Sequence, residues 1–162
     1  MKNFILIVAI AFLVMSGCTQ KVDLEAEKAQ VKAVIDQNIQ MLVNGDLELM
    51  SKIYAHDADM VFFGTDAAER MVGWETIKEV MQKQFAGSET KKVSVRDEVI
   101  KVHNSGKVAW FSGILDWDVI ADGQPVKLEG VRATSVFEKR NGNWVFVQAH
   151  LSVPVSGQAF KY

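Results

Sequence analysis

Polar side chains that could act on a small molecule alternate along two C-terminal segments of the chain. Arg132 and Thr134 stand two residues apart, and Gln148, His150 and Ser152 repeat that spacing. Because alternate residues of a β-strand point to the same face, each set would share one face of a sheet. Arginine is a fixed cation that binds carboxylates, and histidine exchanges protons near neutral pH. The pattern predicts a site that binds a carboxylate or transfers protons.

Asp66 is a second candidate for proton transfer, in the turn that follows an apolar segment. Overhanging the mouth of the site, it would form an acid–base pair with His150. Two purely structural interpretations stay open. Asp66 is a turn-forming residue, and Arg132 belongs to an internal hydrogen-bond network with Asp116 or Asp66. The spacing of the three histidines shows no metal pattern, and no glycine-rich phosphate loop is present, so no cofactor is predicted.

The elements that must position these residues follow from the period of the apolar pattern. Apolar residues at helical spacing predict three helices, over about 24–44, 47–54 and 73–86. Short strands are predicted at 60–63 and 70–72, and long strands at about 92–103, 107–120, 126–139 and 144–153. The short turns between the long strands indicate antiparallel hairpins. The predicted fold is an α+β domain with helices first and a meander after them.

The last hairpin has two registers, and the choice between them decides which side chains share a face. A three-residue loop puts Arg132 opposite His150, whereas the two-residue loop Asn141-Gly142 puts it opposite Leu151. We predict the first register, because it gathers the polar side chains on one face and leaves the other face nearly all apolar. A slip by one residue would move every side chain to the other face. The even-numbered face then lines a pocket. Its predicted ligand-binding residues are Trp110, Ser112, Arg132, Thr134, Gln148, His150 and Ser152, with Ile114, Asp116 and Phe146 completing the wall.

The odd-numbered face of the same strands is apolar as well and includes Leu115, Trp117 and Phe137. Three helices are too few to cover both sides of the sheet. An apolar patch of that size on a soluble domain marks an interface. We therefore predict a two-fold symmetric homodimer through the outer sheet face, with Trp117 and Phe137 near its centre.

The N-terminus reads as a secretory leader. Lys2 precedes an apolar run over residues 4–15, which is too short to span a bilayer. Ser16-Gly17-Cys18 resembles a lipobox, in which the thiol receives a diacylglyceryl group and becomes the mature N-terminus. The alternative is an apolar first helix with an incidental cysteine. Cys18 is the only cysteine of the chain, so the mature domain would contain no disulfide.

The predicted organisation is a signal peptide over residues 1–18, a tether over 19–22, one domain over 23–155 and a tail over 156–162. Thr19 after the cysteine, rather than aspartate, predicts an outer-membrane protein that faces the periplasm. Without Lys2, 17 basic and 20 acidic residues leave a net charge near −3, which argues against nucleic acid as a partner. The membrane is expected as a partner only through the lipid on Cys18.

Five segments carry a resemblance to a known family: Gly64-Thr65-Asp66, 73–77, 130–134, 141–144 and 150–152. They resemble SnoaL-like domains of the nuclear transport factor 2 superfamily, which includes ketosteroid isomerases and polyketide cyclases. The resemblance implies a curved antiparallel sheet wrapped around three helices as a cone with a pocket. The usual isomerase base is missing, because Phe62 stands near its place. The Trp-to-Ser ending also resembles the association domain of calcium/calmodulin-dependent kinase II, which is a scaffold.

Three functions remain open. The leading hypothesis is a lipid-anchored domain that binds a small, partly apolar molecule, anionic if Arg132 contacts it. The second is a small acid–base enzyme of isomerase, cyclase or hydrolase type that uses His150 and Asp66. The third is a structural or interaction module whose pocket is vestigial. A fold alone does not choose among them, since function depends on the site.

Overall fold

Three helices and six strands form the domain, in the order that the apolar periods predict. The computed structural model describes residues 21–154 and residue 157. The helices are α1 (Leu24–Asn44), α2 (Leu47–Ile53) and α3 (Trp74–Gly87). The strands are β1 (Val61–Phe63), β2 (Arg70–Val72), β3 (Ser88–Val102), β4 (Val108–Ala121), β5 (Gln124–Arg140) and β6 (Asn143–Ser152). The predicted α+β class is confirmed. The predicted leader, tether residues 19–20 and most of the tail lie outside the described residues.

Capping residues fix the ends of the first two helices. The carboxylate of Asp23 accepts hydrogen bonds from the backbone N–H groups of Glu25 and Ala26. Asp46 caps α2 in the same way, accepting from the N–H of Leu49 at 2.9 Å. These aspartates satisfy N–H groups that a helix N-terminus leaves without a partner. Gly45 ends α1 at φ 63°, a left-handed conformation that glycine adopts without a steric penalty.

The six strands form one sheet in the order β2-β1-β6-β5-β4-β3. Neighbours are antiparallel except for β1 and β6, which run parallel. The long strands are therefore the predicted meander, but the whole sheet is mixed rather than antiparallel. The parallel pair arises because β1 comes from the helical half of the chain and joins the free edge of the last strand.

β-Bulges interrupt the long strands and curve the sheet. One bulge lies between Arg96 and Val99 in β3, and another lies at Glu129 and Gly130 in β5, opposite Asp116 of β4. A third lies at Val147 in β6. A bulge places an extra residue on one strand and increases the local twist. Past each bulge the alternation of side chains changes by one. The faces of these strands consequently cannot be assigned from odd and even numbers alone.

The register of the last hairpin differs from the predicted one. The loop is Asn141-Gly142, and Phe137 pairs with Phe146 near the turn. Beyond the bulge, Thr134 pairs with His150 and Arg132 with Ser152. The prediction of a three-residue loop is wrong because it assumed an unbroken alternation along β6. The extra residue lets Trp144, Phe146, Ala149 and Leu151 all face the core, and it still gathers the polar side chains on one face.

That polar face is the outer one, so the predicted assignment of faces is reversed. In β4, and in β5 beyond its bulge, the helices cover odd-numbered residues, including Leu115, Trp117 and Phe137. Trp117 is 7% exposed and Phe137 is 0% exposed, so neither can lie at the centre of a dimer interface. The even-numbered class contains Asp116, Asp118, Arg132 and Glu138, and burying four charged side chains under the helices would be costly.

One end of the cone is fixed by polar contacts between α1 and the last hairpin. Glu27 accepts hydrogen bonds from the Lys139 ammonium group at 2.6 and 2.7 Å and from Trp144 Nε1 at 2.9 Å. The β3–β4 turn adjoins this hairpin, because the Lys139 N–H donates to the Lys107 carbonyl. We call this end the base. Among the described residues, no helix is long and apolar enough to cross a membrane.

Candidate ligand-binding site

A cavity of about 290 Å³ lies between the helices and the inner face of the sheet. Its wall is mainly aliphatic and aromatic, and all four long strands contribute to it. The apolar lining includes Ile35, Ile39, Leu42, Phe62, Met71, Val80, Met81, Val93, Val95, Phe111, Leu115, Val119, Leu128, Phe146 and Leu151. Its size is near the lower end of ligand pockets, which span roughly 300–1,000 Å³.

The cavity opens at the end of the cone opposite the base. Two lining residues are exposed, Gln84 at the end of α3 and Val126 near the start of β5. Ser88 and Ala121 also line the cavity there, and they pair with each other across β3 and β4. We call this rim the mouth.

A buried tyrosine and an asparagine place a polar pair in the wall. The Tyr54 hydroxyl donates to Asn38 Oδ1 at 2.8 Å, and the Tyr54 ring stacks on Phe146 with centroids 4.8 Å apart. Burial raises the pKa of the Tyr54 hydroxyl well above its usual range, because a phenolate would lose its hydration. The hydroxyl therefore remains protonated and acts as a donor.

Trp117 brings a second donor to the wall, and this one is unused. Its indole Nε1–H is buried and finds no hydrogen-bond partner among the described residues. Trp117 follows a register shift in β4, where the strand curves over the helices, and its side chain lines the cavity. Buried donors in proteins nearly always have a partner. A ligand acceptor that reaches Nε1 would satisfy this donor, so Trp117 is the wall residue most suited to a polar contact with a ligand.

Glu69 is the one charged residue among the described residues that line the cavity. It belongs to the β1–β2 turn, where its Oε2 accepts a hydrogen bond from the Asp66 backbone N–H at 2.9 Å. Gly64 lies close beneath this side chain, since a Cβ at position 64 would fall 2.1 Å from Glu69 Oε2. The cavity wall thus carries a carboxylate and, within the described residues, no cation.

None of the seven predicted ligand-binding side chains lines the cavity. Of the even-numbered wall, only Phe146 does. The other side chains lie on the outer face or at its edge: Trp110, Ser112, Arg132, Thr134 and His150 are exposed, and Gln148 and Ser152 are half-buried. Their predicted role in binding depended on the reversed assignment of faces.

The predicted acid–base pair is not assembled in the described part of the chain. His150 contacts Phe63 edge to face, with ring centroids 5.7 Å apart. Asp66 is exposed and accepts from the Ala68 N–H at 3.1 Å, which matches the interpretation of a turn-forming residue. Asp116 does not pair with Arg132, since it accepts from the Gly130 N–H at 2.8 Å and from Arg96 at 3.4 Å. The Gly130 N–H lowers the pKa of that carboxyl group.

The inward polar residues that the sequence did not identify include Asn38, Tyr54, Glu69, Trp117 and Ser135. One signal was available for Asn38, because it interrupts the apolar stripe of α1. A polar residue at a core position of a helix commonly contacts a buried partner. Trp117 was assigned to the opposite face, and nothing local distinguishes it from Trp110. Across residues 21–154 and 157, no cluster of histidine, cysteine or acidic side chains could hold a metal ion.

A curved sheet folded over three helices, with an apolar cavity inside the cone, defines a domain of the nuclear transport factor 2-like fold. The family comparison narrows this class. The sequence profile of the SnoaL-like domain matches residues 31–156, and the chain belongs to this family. No curated protein matches the chain at a significant level.

Solved structures share the fold at low sequence identity. A nuclear transport factor 2-like superfamily protein from Salmonella enterica serovar Typhimurium LT2 is 19% identical, with a TM-score of 0.71 over 85% of this chain and 99% of that one. A proposed dehydratase of the same fold family from Streptomyces avermitilis is 17% identical, with a TM-score of 0.67 over 82% and 99%. A proposed calcium/calmodulin-dependent protein kinase II association domain from Xanthomonas campestris is 22% identical, with a TM-score of 0.68 over 86% and 97%.

Proposed function

We propose that the cone binds a small, mostly apolar, uncharged molecule that accepts a hydrogen bond from Trp117 Nε1. The observation that carries this proposal is the buried, unpaired indole N–H of a side chain in a mainly apolar wall. A carbonyl or ether oxygen would satisfy that donor, and the surrounding aliphatic and aromatic side chains would remove the rest of the molecule from water.

The charge of the wall argues against the anionic ligand that the sequence suggested. Arg132, the cation on which that suggestion depended, is exposed on the outer face. The one charged group in the described lining is the carboxylate of Glu69, which would repel an anion, and a buried charge without a partner is strongly unfavourable. A neutral ligand, or one whose donor group faces Glu69, fits the wall better.

Two probes of nearly the same shape test the hydrogen bond. 2-Acetonaphthone carries a carbonyl oxygen and 2-ethylnaphthalene lacks it, and calorimetry or fluorescence measures the affinity of both. Trp117→Phe keeps an aromatic wall and removes the N–H. We expect the variant to bind the ketone about tenfold less tightly, because a net hydrogen bond contributes roughly 1–1.5 kcal/mol, and to bind the hydrocarbon almost unchanged.

Trp110→Phe is the matched control, because it removes the same N–H from an outer-face tryptophan that is 43% exposed. This variant should bind both probes like the parent protein. Equal losses for both probes in Trp117→Phe would show that only packing has changed. Failure of both probes to bind the parent would remove the support for an apolar site of this kind.

The enzymatic alternative that uses His150 and Asp66 has lost its geometric basis, since both side chains are exposed and neither lines the cavity. A structure similar to this one is named as a proposed dehydratase, so acid–base chemistry in the cone stays a second candidate. Among the described lining residues, Glu69 is the carboxylate available for it. Glu69→Gln would abolish such turnover and leave ketone binding intact.

We further propose that the protein is a lipoprotein held at the outer membrane through Cys18. The basic start, the short apolar run and the small residues before this cysteine support the proposal. Acyl chains would supply the membrane affinity. Cys18→Ser should yield unprocessed or soluble protein, and a detergent phase-partition assay measures this. Unchanged partitioning of the variant would contradict the proposal.

The predicted homodimer remains a proposal with a corrected interface. Large apolar side chains are exposed on the outer face, among them Phe63, Val99, Val108 and Trp110. Ser112 pairs with Val99, and Trp110 pairs with Val136, so these residues adjoin across β3, β4 and β5. Apolar side chains that adjoin across three strands of this face support an isologous contact between two copies. A monomer in light scattering at micromolar concentration would count against it.

A further inference from the structure

The chain enters the domain at the base of the cone, and a side-chain contact fixes that point. Val22 precedes α1 and packs against Gly106 in the β3–β4 turn. A Cβ added to Gly106 would fall 2.5 Å from Val22 Cγ1. Asp23 then caps α1. Four residues later, Glu27 contacts Lys139 of the neighbouring hairpin. The path of the chain is therefore set from Val22 onward.

The mouth lies at the other end of α1. This helix has 21 residues, and at 1.5 Å per residue it is roughly 30 Å long. Its second half contributes Ile39 and Leu42 to the cavity. Gly45 follows the end of the helix and lies close to Phe85, since a Cβ added to Gly45 would fall 3.5 Å from Phe85 Cβ. Phe85 is the neighbour of Gln84, which lies at the mouth. The mouth is thus separated from Val22 by about the length of the helix.

The tether is much shorter than this separation. Four residue steps lead from Cys18 to Val22, and a fully extended chain covers at most about 3.6 Å per residue, or roughly 14 Å in all. If the mouth faced the bilayer, Val22 would stand roughly 30 Å above it. A tether of this length holds the base close to the bilayer, and it does not allow the mouth to face that bilayer.

We infer that the cone opens away from the membrane that holds its lipid, so that the ligand enters from the aqueous compartment. The inference rests on the proposed lipid anchor and on the proposed binding site in the cone. It excludes direct extraction of a ligand from the anchoring bilayer. The ligand must arrive in solution, on a soluble carrier or from another surface across the compartment.

Fluorescence quenching at the two ends of the cone tests the orientation. The full chain, processed and acylated in a bacterial host, is reconstituted into phosphatidylcholine vesicles that contain headgroup-nitroxide phospholipid. A fluorophore is attached through Asn104→Cys at the base or through Gln124→Cys at the mouth. Both positions are exposed. Cys18 is the only native cysteine, and acylation blocks it, so the introduced thiol alone reacts.

We expect the nitroxide to quench the label at position 104 severalfold more than the label at position 124. Equal quenching, or stronger quenching at position 124, would overturn the inference. Flotation of the vesicles separates this failure from a failure of the anchor: without acylation the protein does not float, and Cys18→Ser provides that reference. Ketone binding by the reconstituted protein reports independently on the cone.

A lengthened tether tests the cause of the orientation. An insertion of about twelve glycine and serine residues after Gln20 adds roughly 40 Å of reach, which is enough for the domain to invert. Quenching at position 124 should then rise towards the value at position 104. An unchanged difference between the two labels would overturn the tether as the cause.

Discussion

The inner and outer faces of the sheet both carry large apolar side chains, but they differ in their distribution of charge. Leu115 and Phe137 face the helices, whereas Ile114 and Trp110 face outward from the same strands. The outer face interrupts its apolar residues with charged ones such as Arg132. Hydrophobicity alone therefore does not tell which face of a two-sided sheet is buried. The number of charges that each choice would bury is the better criterion.

The largest expected effect comes from placing a charge on each face at adjacent positions. Leu115→Glu would bury a carboxylate against the cavity wall, so we expect a loss of several kcal/mol and failure to fold cooperatively. Ile114→Glu places the same charge on the outer face and should retain a native melt. Circular dichroism during thermal unfolding compares the two variants. A native melt for Leu115→Glu would mean that the faces are assigned incorrectly.

Ile114→Glu also tests the proposed dimer interface. If the outer face joins two copies of the chain, a charge among its apolar side chains should yield a folded monomer, because a carboxylate buried in the contact would lose its hydration. Light scattering measures the mass of the parent and the variant. A variant that stays dimeric would exclude this face as the interface.

A smaller effect is expected where a polar contact joins α1 to the inner face. The hydrogen bond from Lys139 holds the pKa of Glu27 below its usual 4.5. The folded-state pKa is lowered, so the stabilisation is present above pH 4.5 and is lost as the pH falls through the folded value. We expect Glu27→Gln to cost about 1.5–3 kcal/mol at neutral pH, as for a hydrogen bond to a charged group.

Urea denaturation of this variant and the parent at pH 7 and pH 3 measures both statements. The difference in unfolding free energy should shrink at the lower pH. A constant difference would show that the charge of Glu27 contributes nothing and that only its shape matters.

Tyr54→Phe should have a still smaller effect on stability. It removes the hydroxyl that donates to Asn38 and leaves that oxygen without its partner, at a cost of about 1–2 kcal/mol. Ser112→Ala removes a hydroxyl from the outer face and should change the free energy of unfolding by less than about 0.5 kcal/mol. Chemical denaturation compares the two. Equal effects would contradict the view that the inner hydroxyl matters through burial.

Arg132→Ala is expected to have the smallest effect. The side chain is exposed on the outer face, so the free energy of unfolding should change by less than about 0.5 kcal/mol. Affinity for 2-acetonaphthone should also stay the same. A loss of binding in this variant would return the ligand to the outer face and overturn the proposed site.

The sequence predicted the elements of the fold closely because local signals mark their ends. Asp23 and Asp46 cap two helices, Gly45 ends one of them, and Asn141-Gly142 forms the last turn. The bulges could not be predicted, because their positions depend on how far the sheet must curve to cover the helices. If Val147 is counted as a regular strand residue, the alternation assigns Phe146 and His150 to the same face. The bulge places them on opposite faces.

This error extended to the candidate site. Polar residues were correctly grouped on one face of the last two strands, but the group lies outside the cone. The polar wall residues were missed because their partners are distant in sequence. Tyr54 follows α2 and contacts Asn38 on α1, and Trp117 is notable only for a partner that it lacks. Contacts between residues that are distant in sequence, and the absence of such a contact, can be identified only from the three-dimensional structure.

The bulge at Val147 has a consequence for the way this domain can change during evolution. If one residue were lost at this position, β6 would regain a plain alternation, with Phe146, Ala149 and Leu151 still facing inward and His150 still facing outward. What would change is the local twist of the strand. A deletion of one codon could therefore reshape the cone while every side chain kept its side of the sheet, whereas substitutions alter the chemistry of the wall and leave its curvature in place.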